Sequence, residues 1–325
     1  MKTSALGSYP RIGDGPERQK LRRAIQNFQA GRIDAGELRR TEDDVTREVL
    51  DEQQAAGLDW LTDGLVRWED GQTYFTDRLE GFQRGGLLRY FDTNTYYRQP
   101  VVVGAVRWKA PITVENFRFA SAHAKKPVRP VVTGPLTLAA LSLDEHYRDA
   151  RRLVADLTAA LRQEIDALAQ AGAASVQIDE PALTRRPMDA QWVRETMQAL
   201  FRDATIPVWV ALYMGSTAAL LDQIGSWPAA GVWLDCVSDR SVLDRLAERP
   251  PTNGQQIGVG IVDARNTKLE SVDDLVADLR RATRTVPAER MVATTSAGLE
   301  FLPRDRAQRK LERLVESVRS FAKAG

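Results

Sequence analysis

The stretch Ala150–Pro181, ARRLVADLTAALRQEIDALAQAGAASVQIDEP, contains the signals of one helix followed by one buried strand. Its apolar residues recur at i, i+3 and i+4 spacing as far as Gly172, a pattern typical of an amphipathic helix that ends at a glycine. The following run, SVQIDEP from Ser175, is short and apolar and ends in turn-forming residues, as a buried strand does. The sequence therefore predicts a helix-then-strand unit here.

Runs of the same kind recur along the whole chain, and from the fourth onward each gap holds about one helix. Such alternation predicts a parallel sheet, and eight units match a closed (β/α)8 TIM barrel; an open doubly wound sheet is the rival architecture. The eight runs start near Ala5 (ALGSYP), Leu58 (LDWLTDG), Val128 (VRPVVTGP), Ser175 (SVQIDEP), Pro207 (PVWVALYMG), Gly231 (GVWLDCV), Gln256 (QIGVGIVDA) and Met291 (MVATTSAG).

We expect one barrel domain over residues 1–325, because no Pro/Gly/Ser linker or low-complexity tract marks a boundary. Two long segments, Glu17–Glu52 and Thr73–Lys126, interrupt the early repeats and are predicted to decorate the barrel. Further helices are predicted at Ala190–Phe201, Ser216–Ile224, Val272–Ala282 and Arg306–Ala322.

Composition narrows the possible partners. The chain has 45 Lys and Arg residues against 44 Asp and Glu residues, which gives a formal net charge of +1. So small a net charge does not attract the protein to nucleic acid or to membranes, and we expect neither as a partner. The single cysteine, Cys236, excludes an internal disulfide and a cysteine-pair metal site, and it favours a cytoplasmic location. No apolar stretch approaches the ~20 residues of a spanning helix.

In a TIM barrel, function is expected at the carboxyl ends of the strands. Polar residues at these positions could equally be helix caps and turn formers. The positions are occupied by Ser8, Asp63, Gly134, Asp179, Glu180, Tyr213, Asp235, Asp263 and Ser296.

Six short sequence motifs resemble those of the cobalamin-independent methionine synthase family, and they occur in the same order as in that family. They are LGSYPRIG at the amino terminus, RYFDTNTYY from Arg89, TGPLTLAALS from Thr133, VQIDEPAL from Val176, GVGIVDARN from Gly258 and VATTSAGLEFLPR from Val292. The resemblance implies a TIM barrel that transfers a methyl group to the thiol of homocysteine.

The family enzyme has two related barrels: the carboxyl-terminal one binds zinc and homocysteine, and the amino-terminal one helps to bind the tail of methyltetrahydrofolate. Four motifs resemble the amino-terminal barrel: FDTNTYY, YMG, WLDCVSD and IVDARN. Ser8 in the LGSYP motif instead resembles the catalytic barrel. The resemblance places Ala211 and Tyr213 at the His-x-Cys zinc ligands, Asp235 at the glutamate ligand and Ala297 at the last cysteine. We therefore expect no family-type zinc site, although zinc normally activates the thiol.

Other residues carry over from the family with their roles. Ser8 matches the neighbourhood that contacts the amino acid, and Asp179 matches the aspartate that holds the homocysteine amino group. Independently of the resemblance, Arg11 in PRIG is a candidate clamp for a carboxylate, with a surface salt bridge as the alternative. Asp92 and Asn94 are expected near the barrel mouth, and Glu180 and Asp263 are further candidates for substrate binding.

Three functions stay open. The first is a methyltransferase that moves a methyl group from methyltetrahydrofolate or a corrinoid to a thiol, with Asp179 in the site and Tyr213 or Asp235 as general base. The second is a folate-binding subunit that pairs with a separate zinc-carrying catalytic barrel. The third is a zinc-independent barrel enzyme in which Asp179, Glu180, Asp235 and Asp263 act on another small polar substrate.

Overall fold

Ten strands and twelve α-helices occur in residues 1–13, 15–251 and 253–323, which the computed structural model describes. The strands are Lys2–Thr3 (β1), Leu79–Arg89 (β2), Tyr96–Trp108 (β3), Val131–Thr133 (β4), Leu143–Asp144 (β5), Val176–Asp179 (β6), Val208–Leu212 (β7), Gly231–Asp235 (β8), Gln256–Val262 (β9) and Met291–Thr295 (β10). The helices are Lys20–Gln29 (α1), Ala35–Ala56 (α2), Gly71–Thr76 (α3), Val114–His123 (α4), Pro135–Leu141 (α5), Ala150–Gln170 (α6), Ala182–Arg185 (α7), Ala190–Phe201 (α8), Leu221–Ile224 (α9), Ser241–Glu248 (α10), Val272–Ala282 (α11) and Arg304–Lys323 (α12).

The central sheet is parallel and closes into a barrel. Seven strands follow the order β1-β10-β9-β8-β7-β6-β4. The gap between β1 and β4 is filled by Trp60 and Leu61, since Ser4 bridges to Trp60 and Leu61 bridges to Val128, both in parallel. The segment at Trp60 and Leu61 therefore takes the place of the eighth barrel strand, and it belongs to the run predicted to start near Leu58. The TIM-barrel prediction is confirmed. The first strand starts at Lys2, ahead of its predicted start near Ala5.

The outer helices follow the predicted pattern closely. Helices α8 and α11 have the predicted bounds. Helix α6 begins at Ala150, after the cap residue Asp149, and ends shortly before Gly172, whose φ of +90° favours glycine. The helix predicted at Ser216–Ile224 is shorter, a 3₁₀ turn at Ala218–Leu220 followed by α9. None of the helices in the described ranges is long and apolar enough to cross a membrane.

The two predicted insertions differ in kind. The first contains α2, which packs against α12 and α4 and is therefore a helix of the outer ring, not a decoration. The second contains a long antiparallel hairpin, β2–β3, whose strand β3 also pairs with β5. Its turn, residues 90–95, carries Asp92, which forms ion pairs with Arg185 at 3.7 Å and with Arg265 at 3.3 Å. These arginines follow β6 and β9, so the hairpin tip is held over the barrel mouth.

The barrel interior is filled by aromatic rings around one buried cation. Trp209 and Trp233 stack with their ring centroids 4.6 Å apart, and Trp60 meets both edge-on. Arg129 lies 4.2 Å from the Trp233 ring centroid, is fully buried, and has its pKa lowered to about 9 by burial. Gly258 on the neighbouring strand leaves room for the Trp233 ring, because a Cβ there would overlap it.

Candidate active site

A cavity of about 300 Å³ opens at the carboxyl ends of the strands beneath the hairpin tip. Four residues predicted from the sequence line it: Ser8, Arg11, Asp179 and Tyr213. TIM-barrel enzymes bind their substrates at this end of the barrel. The cavity is therefore the candidate active site, although the roles of these residues stay predictions.

Asp179 is the last residue of β6 and is buried. Its Oδ1 accepts a 2.6 Å hydrogen bond from Gln177 Nε2, and its Oδ2 accepts one of 2.9 Å from the Tyr213 hydroxyl. Burial raises the pKa of Asp179 to about 7, while these two bonds and the charge of Arg129 act in the opposite direction. Asp179 therefore changes charge close to neutral pH.

Tyr213 follows β7 and is a hydrogen-bond donor in this site. Burial raises the pKa of its phenol well above 10, and the negative charge of Asp179 raises it further. A phenol with so high a pKa stays protonated at neutral pH. Tyr213 therefore positions Asp179, and the role of general base considered for it from the sequence does not fit this geometry.

Glu300 is a second carboxylate in the cavity, and sequence reasoning did not single it out. It lies in the loop after β10, where its Oε2 accepts a hydrogen bond from Ser8 Oγ. The residue is exposed, but partial desolvation of its carboxyl group in the cavity raises the pKa, and the bond from Ser8 lowers it. Gly298 makes the contact possible, since a Cβ at this position would overlap both side chains. The sequence signal that could have identified Glu300 was the position of an acidic residue in the loop after a predicted strand.

Arg11 is the only cationic side chain among the described residues that line the cavity. Its Nη1 donates one long hydrogen bond, 3.4 Å, to the Val66 carbonyl. Burial lowers its pKa below the ordinary value for arginine, and the charges of Glu69 and Glu42 raise it. No side chain in the described residues forms an ion pair with Arg11 within 4.0 Å, so its guanidinium is available to a ligand carboxylate.

Aromatic side chains form much of the cavity wall. Trp68 lies in the loop after the barrel segment at Trp60 and Leu61. Tyr90 and Tyr97 belong to the hairpin, and Phe301 follows Glu300. The hairpin tyrosines combine packing with contact to the cavity. Tyr97 does pack, with its hydroxyl donating to the Leu141 carbonyl at 3.0 Å, but it also faces the cavity.

Glu180, although next to Asp179, lies outside the cavity lining. Its Oε1 accepts from the amide of Leu136 at 3.0 Å, and its Oε2 accepts from the amide and hydroxyl of Thr137 at 2.7 and 2.6 Å. A carboxylate at these amides caps the first turn of α5. The geometry gives Glu180 a structural role, because adjacent strand residues point to opposite faces.

Asp235 and Asp263 also lie away from the cavity. Asp235 Oδ1 accepts from the amides of Val237 and Ser238 at 3.0 and 2.8 Å, and its Oδ2 accepts from the Ser238 hydroxyl at 2.6 Å. Asp263 Oδ1 accepts from the Arg265 amide at 2.8 Å. Both are turn-forming aspartates, the alternative that the sequence left open.

The hairpin residues Asp92 and Asn94 are near the barrel mouth but do not line the cavity. Asp92 holds the hairpin turn to the barrel through Arg185 and Arg265. Asn94 is exposed on the same turn. Their contribution to substrate binding would therefore be indirect, through the position of the hairpin.

The side chains that the sequence resemblance places at the zinc ligands do not fit a zinc ion. Ala211 and Ala297 have no donor atom, Tyr213 donates to Asp179, and Asp235 is held by its own turn. Cys236 is buried, and burial raises the pKa of its thiol above the usual range. No group of three or more His, Cys, Asp or Glu residues in the described ranges is arranged to hold a metal ion.

Comparison with known proteins gives a family for this architecture. A family model described as "Cobalamin-independent synthase, Catalytic domain" matches residues 1–320. A methionine synthase of Saccharolobus solfataricus is 30% identical over 321 residues, which cover 98% of this chain and 94% of that protein. A methionine synthase of Sulfolobus acidocaldarius is 28% identical over 319 residues, or 98% of this chain and 91% of that protein.

Two solved structures share the fold. A B12-independent methionine synthase from Shewanella sp. W3-18-1 superposes with a TM-score of 0.83 at 21% identity and covers 100% of this chain and 99% of its own. A putative vitamin-B12 independent methionine synthase from Listeria monocytogenes superposes with a TM-score of 0.80 at 19% identity, over 98% of this chain and 97% of its own. These likenesses support the barrel architecture.

Proposed function

We propose, since this chain belongs to the cobalamin-independent methionine synthase family, that it binds a thiol amino acid such as homocysteine in the mouth cavity and methylates its sulfur. Methyltetrahydrofolate and a methyl corrinoid are the donors that the family resemblance suggests. The family's zinc is not part of the proposal, because Ala211 and Ala297 offer it no ligand.

The observation that carries the proposal is the buried carboxylate of Asp179 in a cavity that also contains Arg11. Asp179 has only neutral hydrogen-bond donors, Gln177 and Tyr213. A ligand ammonium would neutralise Asp179, and a ligand carboxylate would form paired hydrogen bonds with Arg11. An α-amino acid carries both groups on one carbon, and it therefore complements these two side chains.

The thiol must lose a proton during methylation, and Glu300 is the group that we propose accepts it. Its side chain faces the cavity, and its pKa is raised, so it is a stronger base than an ordinary glutamate. Asp235 lies outside the cavity, and Tyr213 is already protonated. Asp179 would meanwhile hold the ammonium group.

The test combines binding and turnover on the full chain. Methionine binding is measured by titration calorimetry, and methionine formation from homocysteine by mass spectrometry with methyltetrahydrofolate or methylcobalamin. We expect Asp179→Asn to weaken methionine binding by about tenfold or more, because it removes the charge opposite the ammonium. Glu115→Gln, at an exposed acid that does not line the cavity, is the matched control. A wild-type chain that binds neither methionine nor homocysteine would overturn the proposal.

A second candidate function is a binding subunit that pairs with a separate zinc-carrying barrel. The lack of donor atoms at Ala211 and Ala297 favours it. It predicts that the chain alone forms no methionine and that adding a catalytic-type barrel restores turnover above that barrel's own rate. An unchanged rate in the mixture would count against it.

A further inference from the structure

The cavity presents a ligand with more than one carboxylate. Asp179 and Glu300 both face it, and within the described residues neither forms an ion pair with a protein cation within 4.0 Å. Their hydrogen-bond donors, Gln177, Tyr213 and Ser8, are neutral. The ammonium of a thiol amino acid would pair with the buried Asp179. Glu300 is exposed, and its carboxylate would stay free for a second ligand.

The remaining acids of the wall differ from this pair. Glu69 lies 3.6 Å from Arg84, which belongs to the hairpin. Asp70 accepts hydrogen bonds from the amides of Gln72 and Thr73 at 2.9 and 2.7 Å, as the cap of α3. Glu69 thus has a cationic partner, and Asp70 is held by backbone amides at the start of a helix, which favour a negative charge. Asp179 and Glu300 are the acids that remain for a ligand.

The aromatic wall next to these acids suits a cation. Trp68, Tyr90, Tyr96 and Phe301 line the same cavity, and aromatic faces attract positive charge. Within the described residues no Lys or Arg lies over any of these four rings; the nearby Arg78 lies over Tyr74, at 3.8 Å. A ligand cation would therefore find ring faces that no protein cation occupies.

The combination favours a cation without N–H groups. Glu300 already accepts a hydrogen bond from Ser8, and the aromatic rings that line the same cavity offer faces in place of carbonyl oxygens. A primary ammonium needs several hydrogen-bond acceptors, whereas a methylated onium needs only charge and apolar contact. The wall near Glu300 therefore matches a sulfonium or quaternary ammonium better than an amine.

We propose that the methyl donor is itself an onium compound, a methylsulfonium or quaternary methylammonium, held by Glu300 and the aromatic wall. The inference rests on the proposed function, since it assigns the donor for the same acceptor. The acceptor's ammonium is at Asp179, and the donor's cation is at Glu300. Each carboxylate then has one positive partner.

The transfer step balances with this assignment. The acceptor sulfur attacks the methyl carbon, a sulfur–carbon bond forms, and the bond between that carbon and the onium atom breaks. Its electron pair stays on the onium atom, which leaves as a neutral sulfide or amine. The thiol proton passes to Glu300, which has lost its cationic partner at the same moment. Nothing is oxidised or reduced.

The assignment also accounts for the lack of zinc ligands at Ala211 and Ala297. A neutral thiol is a weak nucleophile, and a metal normally compensates for this by supplying a thiolate. An onium methyl group is activated by its own positive charge, because it departs from a neutral leaving group. The activation therefore comes from the donor side of the reaction.

A binding experiment tests the cation preference with a matched pair of probes. Choline and its uncharged carbon isostere, 3,3-dimethyl-1-butanol, are titrated into the methionine-saturated full chain and followed by calorimetry. We expect choline to bind about tenfold more tightly or better, and Glu300→Gln to remove most of that preference. Glu115→Gln should keep it. Equal binding of the two probes to the wild-type chain would overturn the inference.

A turnover experiment separates this inference from the proposed function. Homocysteine is incubated with S-methylmethionine or glycine betaine carrying deuterated methyl groups, and labelled methionine is measured by mass spectrometry. Transfer of the label that is lost in Glu300→Gln supports the onium donor. Transfer from methyltetrahydrofolate or methylcobalamin alone overturns the inference and leaves the proposed function intact, and transfer from none of the four donors also overturns it. Failure to bind methionine would instead remove the proposed function.

Discussion

The Tyr213 hydroxyl donates a 2.9 Å hydrogen bond to Asp179 Oδ2 across two neighbouring barrel strands. Asp179 is paired in register with Ala211, two residues before Tyr213. Because strand residues two apart share a face, Tyr213 and Asp179 point to the same side. The bond stabilises the ionised carboxylate and partly offsets the effect of burial on its pKa.

Replacing Tyr213 by Phe should move the pKa of Asp179 above its present value of about 7. The variant lacks the donor that favours the charged form, so a larger fraction of Asp179 is protonated at pH 7. We expect methionine binding to weaken by roughly three- to tenfold at pH 7 and to recover toward the wild-type value by pH 9. Calorimetric titrations from pH 6 to 9 measure this. The same loss at every pH would indicate general damage to the site.

Asp179 should also make the stability of the protein depend on pH. Its pKa is about 7 in the folded chain and near 3.8 when unfolded, so the folded state binds its proton more tightly. The free energy of unfolding should therefore fall as the pH rises from about 4 to 7 and level off above. Each tenfold difference in proton affinity between the two states corresponds to about 1.4 kcal/mol. The cause is the burial of a charge that the unfolded chain leaves in water.

The Asp179→Asn variant isolates this contribution. Urea unfolding of wild type and variant at pH 5, 6, 7 and 8 should show the variant gaining stability relative to wild type as the pH rises. The pKa of Glu180 is also raised to about 7, mainly by burial and in smaller part by the charge of Asp179. Losing that charge lowers the pKa of Glu180 in the variant, so Glu180 adds to the difference in the same direction. A wild-type to variant difference that is the same at pH 5 and pH 8 would contradict the assignment.

The barrel was predictable because its signals are local. The SVQIDEP run became β6, and the helix before it ended at Gly172 as expected. Strand-end acids were harder to assign, since Asp179 and Glu180 are adjacent and chemically similar, yet one faces the cavity and the other caps α5. Which acid faces inward depends on the strand's orientation in the barrel, a property of the whole sheet.

The remaining part of the site depends on contacts between distant segments. Glu300 meets Ser8 across almost the whole chain, and Tyr90 reaches the cavity only because the hairpin folds over the mouth. The periodicity of the residues within each segment does not indicate which distant segment it contacts. Ser8 and Tyr213 could be singled out from the sequence because they lie next to predicted strand ends. Arg11 could be singled out because a guanidinium binds carboxylates.

The interior tryptophans make a glycine on β9 indispensable. A Cβ at Gly258 would overlap the Trp233 ring, which is itself stacked on Trp209 and cannot withdraw. We expect Gly258→Ala to lower the free energy of unfolding by about 2–3 kcal/mol or more, as overpacked cores do. Denaturant unfolding measures it.

Two further variants control that prediction. Gly86→Ala, on the hairpin, adds the same methyl group where a Cβ would meet nothing within 4 Å, and it should change stability little. In a Trp233→Leu background the cost of Gly258→Ala should fall sharply, because the smaller side chain leaves room. An undiminished cost in that background would mean that backbone conformation, and not ring overlap, requires the glycine.

Asp92 should influence ligand exchange more than stability. Its ion pairs with Arg185 and Arg265 are about half exposed at the aspartate, so their loss in Asp92→Asn should cost less than about 1 kcal/mol. The hairpin tip, however, carries Tyr90 and Tyr96 into the cavity wall, and a looser tip should release methionine several-fold faster. Stopped-flow dissociation at low and high salt measures this, with wild type approaching the variant as salt screens the pairs. Asn94→Ala on the same turn is the control, and an equal acceleration there would show that any change in the turn, not the ion pairs, opens the mouth.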